Sequence, residues 1–167
     1  YTLSLHDALP VPVNTAASTR ALGTIAIGGT PDVIYLEAGD RVLRSDDEAT
    51  TWVGLDFGPY TGATPRLAGV NPLDGAEVVA VSGATLLRST DSGSTWIPVP
   101  SAPPVAYATV DWFARIAYVV LADSISTRTL RLSDGGTIGS ASFAPASIVA
   151  DRNLAFATGH GNLYRSS

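Results

Sequence analysis

Residues 86–96 read LLRSTDSGSTW, and residues 42–52, VLRSDDEATTW, carry the same pattern 44 positions earlier. Arg44 matches Arg88, Ser45 matches Ser89, Asp47 matches Asp91, Thr51 matches Thr95 and Trp52 matches Trp96. A third copy follows 43 positions on, at 130–139 (LRLSDGGTIG). It keeps Arg131, Asp134 and Gly136 but has Leu132 at the Ser position and Gly139 at the Trp position. A fourth opens at Leu163 as LYRSS. Recurrence at a fixed period of this size marks a chain built from stacked supersecondary units.

Outward from each copy the pattern is also shared. An apolar run precedes it: VIYL from Val33, VVAV from Val78, IAYVVLA from Ile116 and NLAFATG from Asn153. Before each run lies a shorter alternating segment: TIAI from Thr24, RLAGV from Arg66, ATVDW from Ala108 and ASIVA from Ala146. After the first two copies come TWVGL and TWIPV. One period therefore holds four short strands separated by turn residues. The nearly continuous apolar second strands predict burial on both sheet faces. Four strands at this period predict an all-β chain, a β-propeller fragment of about 3.5 four-stranded blades of 43–44 residues. The repeats run over about 20–57, 64–101, 106–145 and 146–167. A β-sandwich gives no reason for a turn recurring every 44 residues, and a β-helix coil is usually shorter.

The turn chemistry is structural. A tight turn leaves backbone N–H groups without ladder partners, and Ser and Asp oxygens accept from them. Each such bond contributes about 0.5–1.5 kcal/mol net. Gly93 supplies a positive φ without steric cost. A Trp buries roughly 150–250 Å², which at about 25 cal/mol per Å² contributes at most ~4–6 kcal/mol. The set Ser89, Asp91, Gly93, Thr95, Trp96, with Ser45, Asp47, Thr51, Trp52 and the partial Asp134, Gly136, resembles the Asp-box (BNR) repeat family. The resemblance implies a propeller whose boxes turn between strands three and four, on the face away from the ligand. It also implies an extracellular or periplasmic location.

Composition sets limits. The chain is 46% hydrophobic and 15% charged, with 16 Gly and 11 Pro scattered along it, the profile of a packed, turn-rich β protein. The net charge is −5 and every basic residue is an Arg, with no basic cluster, which argues against nucleic-acid binding. The absence of Cys excludes disulfides and thiolate metal sites. No apolar run has the length of a membrane span. Residues 1–10, YTLSLHDALP, resemble translated sequencing-adapter sequence found at the ends of metagenomic reading frames, and are set aside as a non-native leader before the partial propeller of 11–167. The competing reading is a native N-terminal strand.

Candidate ligand residues come from the connections on the face away from the boxes: Asp40 and Arg41 in EAGDR, Arg66 at the head of a first strand, and Asp123 and Arg128 in DSISTR. Arg suits carboxylate recognition because its planar fork grips two oxygens at once. Among Asp-box enzymes, resemblance to sialidases implies an arginine triad, a Tyr–Glu nucleophile pair and an Asp acid/base. Arg66, in TPRLAG, stands nearest to the segment bearing the first of those arginines but lacks its Ile-Pro. Of the three Glu residues, Glu37, Glu48 and Glu77, Glu48 lies inside a box. Asp40 and Asp123 occupy equivalent loops of different repeats, and spacing alone does not fix whether they reach the roughly 5–10 Å separation glycoside chemistry needs; a chance arrangement is the plainer reading. His160 is a lone turn residue and His6 lies in the leader. No catalytic set, metal set or phosphate-binding loop is complete, and no cofactor is implied. Two functions follow: a non-catalytic Asp-box propeller serving in recognition or assembly, resembling photosystem assembly factors, or a fragment of a sialidase-like or other Asp-box glycoside hydrolase, xyloglucan-active enzymes included. The partner is a carbohydrate or a protein.

Overall fold

The computed structural model describes residues 22–29, 33–61, 64–123, 126–142, 145, 147–151, 154–159 and 162–165; the leader, residues 11–21 and His160 lie outside them. The first sheet is β1 (Leu22–Gly28), β2 (Val33–Ala38), β3 (Arg41–Ser45) and β4 (Val53–Gly54). The second is β5 (Arg66–Asn71), β6 (Asp74–Ser82), β7 (Thr85–Ser89) and β8 (Ile97–Pro98). The third is β9 (Val105–Asp111), β10 (Ile116–Leu121), β11 (Thr127–Arg131) and β12 (Thr137–Ala141). The fourth holds β13 (Ser147–Asp151), β14 (Leu154–Gly159) and β15 (Asn162–Arg165). Each sheet is an antiparallel meander in sequence order. The first strands pack on one another in succession, β1 on β5, β5 on β9 and β9 on β13, so the sheets stack as blades around their inner strands.

The core lies between blades. Tyr35, Val42 and Phe57 of blade 1 meet Leu67, Val70, Val78, Ala80 and Leu87 of blade 2. The other face of blade 2, with Val79, Val81 and Leu86, meets Ala108, Val110, Ala117, Val119 and Leu130 of blade 3. Val120 and Tyr118 then pack on Ile148 and Ala157 of blade 4. The doubly buried second strand holds for β6, where Val78 through Val81 are at most 5% exposed. In β2 burial alternates, Tyr35 and Glu37 being covered and Ile34 and Leu36 only partly, because blade 1 has a neighbour on one side among the described residues.

A meander places its hairpins alternately on two rims. The β3–β4 and β7–β8 turns, which carry the two complete motifs, share one rim, as the 44-residue register requires. Trp52 and Trp96 are both partly buried, and Trp96 stacks on Phe57 with ring centroids 4.6 Å apart. The motif turns also tie blades together: Gly93, at φ +81°, lies where a Cβ would approach Leu55 Cδ1 of blade 1 to 2.8 Å. Arg44 of blade 1 donates to the Ser92 carbonyl of blade 2 at 3.0 Å.

Ala49 stands where Gly93 stands, at φ +67°. That conformation costs a residue with a Cβ about 1–2 kcal/mol, against about 0.5–1 kcal/mol of extra chain entropy lost by Gly. Ala49→Gly is therefore expected to stabilise the chain by roughly 0.5–1 kcal/mol and raise Tm by about 1–4 °C for a domain of this size. An unchanged or lowered Tm in thermal melts would refute the strain.

Candidate functional site

The two complete motifs bond alike. Ser45 Oγ donates to Asp47 Oδ1 at 2.9 Å and accepts from the Ala49 N–H at 2.9 Å. Asp47 then accepts from the Thr51 N–H at 2.8 Å and from Thr51 Oγ1 at 2.7 Å. In the second turn Ser89 Oγ donates to Asp91 at 2.8 Å and accepts from the Gly93 N–H at 2.8 Å. The Thr95 N–H and Oγ1 donate to Asp91 at 2.8 and 2.6 Å. These bonds hold both carboxyls below the usual Asp range: Asp91 to about 2, through Thr95 and Ser89, and Asp47 in the same direction, through the Thr51 N–H and hydroxyl.

The third copy closes differently. Leu132 offers no hydroxyl; it is buried and donates its N–H to the Arg115 carbonyl at 3.0 Å. Asp134 instead accepts from the Gly136 N–H at 2.9 Å and pairs with Arg131 at 3.0 Å. Asp134 and Gly136 thus hold a tighter turn than the two complete motifs, without the Thr contacts.

A depressed carboxyl pKa contributes stability above the unfolded pKa that is lost as the folded group is protonated. With an ordinary value of 3.8 and a folded value of about 2 for Asp91, the loss falls as pH drops from about 4 towards 2. Asp91→Asn is expected to flatten the decline of Tm across that window in an acid titration. An equally steep decline in the variant would overturn the assignment.

The other two glutamates are also engaged. On the motif rim Glu77 is 5% exposed. It accepts from Asn71 Nδ2 at 2.8 Å, from Arg88 Nε at 2.8 Å and from Arg115 Nη2 of blade 3 at 2.7 Å. Burial alone would raise its pKa, but the bonds from Arg115, Asn71 and Arg88 outweigh that and hold it below the usual Glu range. Towards the opposite rim Glu37, 6% exposed, is the last residue but one of β2. A bulge in β1 frees the Thr24 N–H, which donates to Glu37 Oε2 at 3.2 Å. The Leu67 N–H of blade 2 donates to Oε1. The lack of a side chain at Gly23 leaves room for this carboxyl. Burial, and then the Glu37 charge, raise the pKa of Tyr107 on β9.

The candidate ligand residues separate into two groups. Asp40 and Arg41 line an open cleft of about 320 Å³ between blades 1 and 2, whose walls include Asp56, Phe57 and Pro65. Arg66 follows that wall at the head of β5, 3.8 Å from Glu37, and Arg41 lies 3.9 Å from Asp40. Both separations exceed hydrogen-bond contact, and the two arginine side chains are 55% and 72% exposed. Asp123 and Arg128 belong to blade 3, away from the cleft, and Asp123 accepts from Ser126 Oγ at 3.4 Å. Sequence reasoning missed Glu37 and Glu77 as structural anchors; a lone Glu embedded in an apolar strand, VIYLEA or AEVVAVS, was the available signal.

No protein-family model matches the chain, and no curated protein sequence does. Solved structures do. YCF48 bound to D1 peptide superposes with a TM-score of 0.62 at 11% identity, covering 89% of this chain and 50% of that one. YCF48 from Cyanidioschyzon merolae gives 0.58 at 14%, covering 88% and 56%. A GH74 xyloglucanase from Xanthomonas campestris gives 0.58 at 19%, covering 83% and 24%. The chain thus spans about half the length of the YCF48 chains and a quarter of the enzyme. These likenesses show the fold, a β-propeller.

Proposed function

We propose that this propeller is a non-catalytic recognition module of the Asp-box type that binds its ligand on the rim opposite the motif turns, at Asp40, Arg41 and Arg66. The observation that carries this reading is the state of the glutamates. Glu37, the one nearest to a Tyr–Glu arrangement through its influence on Tyr107, has both oxygens bonded to backbone N–H groups and is almost wholly buried. A nucleophile needs an open face towards substrate. Glu77 is bound on the other rim by three side chains, and Glu48 sits in a motif turn at φ +54°. Meanwhile Arg41 and Arg66 keep donors free for carboxylate or carbonyl oxygens of a ligand. That a propeller of this fold, YCF48, has been solved with a peptide supports a peptide ligand.

The experiment pairs two assays. Aryl sialosides and xyloglucan oligosaccharides are expected to remain uncleaved by the purified chain. A displayed peptide library is expected to yield binders whose Kd rises roughly 10–100-fold in Arg41→Ala or Arg66→Ala, the loss of a charged hydrogen bond of about 1.5–3 kcal/mol. Asp47→Asn, on the far rim, is expected to leave that Kd unchanged. Glycoside turnover abolished by Glu37→Gln would establish the hydrolase reading instead.

A further inference from the structure

The inner hairpins of blades 2 and 3 turn on the motif rim, and they are built alike. Each turn opens on a residue whose side chain holds the backbone that follows. Asn71 Oδ1 accepts from the Leu73 N–H at 3.0 Å. Asp111 Oδ1 accepts from the Phe113 N–H at 2.9 Å and from the Ala114 N–H at 3.0 Å. The residue two places on is apolar in both turns and stands outside the core: Leu73 is 83% and Phe113 59% exposed.

The two tips share one surface. Glu77 joins the turns, accepting from Asn71 of the first and from Arg115 of the second. Trp112 packs against the core of blades 2 and 3, close to Gly69, and carries the Arg115 guanidinium over its ring. Arg115 holds this place at φ +58°, a costly conformation for a residue with a Cβ. The fold gains no burial from apolar tips left in water, and adjoining ones mark an interaction surface.

The charges around the tips select the partner. The second motif turn lies beside the Leu73 turn, its Ser92 N–H donating to the Ala76 carbonyl at 2.8 Å. Arg44 ties the first motif turn to it through the Ser92 carbonyl. These turns expose Asp46, Asp47, Glu48, Asp74 and Asp91. The nearby arginines are committed: Arg44 to Asp46, and Arg88 and Arg115 to Glu77. Asp47, Glu48, Asp74 and Asp91 have no arginine within salt-bridge distance among the described residues.

We propose that the motif rim docks a cationic amphipathic segment of a partner protein, with its apolar side chains on Leu73 and Phe113 and its Lys or Arg side chains towards those four carboxylates. The surface is separate from Asp40, Arg41 and Arg66 on the other rim. Apolar and aromatic anchors supply most of the affinity of such a contact, and the charge around them sets partner choice and association rate. An anionic membrane is the disfavoured occupant, because its charge has the same sign as the rim's.

The test is titration of the whole chain with a helical peptide carrying Leu on one face and Lys on the other. Binding is expected, with a Kd that rises with salt. Matched peptides with Glu for Lys, or with Ser for Leu, are expected to bind at least about tenfold more weakly. Leu73→Ser/Phe113→Ser is expected to raise the Kd of the Leu–Lys peptide roughly 10–100-fold, and Asp74→Asn about 2–5-fold. Ile97→Ser, which removes a 58% exposed apolar side chain from β8, is expected to leave it unchanged. A thermal melt checks that the double variant folds, and Leu73→Ser alone serves if it does not. A chain that ignores the Leu–Lys peptide, whether or not it sediments with vesicles containing phosphatidylserine, would overturn the proposal. So would an unchanged Kd in the tip variant, or equal affinity for the Glu peptide.

Discussion

Gly135→Ala is expected to destabilise the chain by about 3–4 kcal/mol, more than any other single-methyl addition in the motif rim. Gly135 lies at φ +68°, and its N–H donates to the Arg131 carbonyl at 2.9 Å. A Cβ there would run into the Pro100 carbonyl oxygen of blade 2 and stand 2.8 Å from the Ala102 nitrogen. The left-handed conformation costs about 1–2 kcal/mol, and overpacking against a neighbour adds about 1–3 kcal/mol. Gly93→Ala is the control. It meets the same conformational term at φ +81°, but its Cβ faces the end of the Leu55 side chain, which can rotate, whereas Pro100 and Ala102 present backbone. Urea unfolding of both variants measures the difference. Equal losses would mean that the backbone contact between blades 2 and 3 relaxes freely.

Glu77→Ala is expected to cost about 3 kcal/mol, within the range for removing one partner of a buried ion pair. The carboxylate is nearly covered and bridges Arg88 of its own blade to Arg115 of the next. Its removal leaves Arg88, with a quarter of its side chain exposed, and Asn71 without their acceptor. Arg115→Ala removes a guanidinium that is already 46% exposed and leaves Glu77 still bonded to Arg88 and Asn71, so it is expected to cost less than Glu77→Ala even with its contact over the Trp112 ring at 5.7 Å lost. A double-mutant cycle between the two positions isolates the inter-blade part. A coupling near zero would show that Glu77 serves blade 2 alone.

The repeat register, the four strands per period and the two Ser–Asp–Thr turns were legible in the sequence by itself. Their physical cause is local: the Ser89, Asp91, Gly93 and Thr95 bonds close within four residues, and hairpin pairing follows the alternation of apolar positions. The positive φ at Ala49 was legible for the same reason, by comparison with Gly93 in register. The tertiary structure decided what depends on residues brought together from different blades. Glu37 reaches Leu67 and Glu77 reaches Arg115 across 30 and 38 residues, so no local pattern marks either carboxylate as an anchor rather than a reactive group. The third turn departed from the motif because Leu132 is drawn into the core shared by blades 2 and 3, a demand that spacing alone does not express. Likewise Asp40, Arg41 and Arg66 share one rim beside a cleft while Asp123 and Arg128 stand apart, because the stacking of blades sets the distance between loops that the repeat makes equivalent.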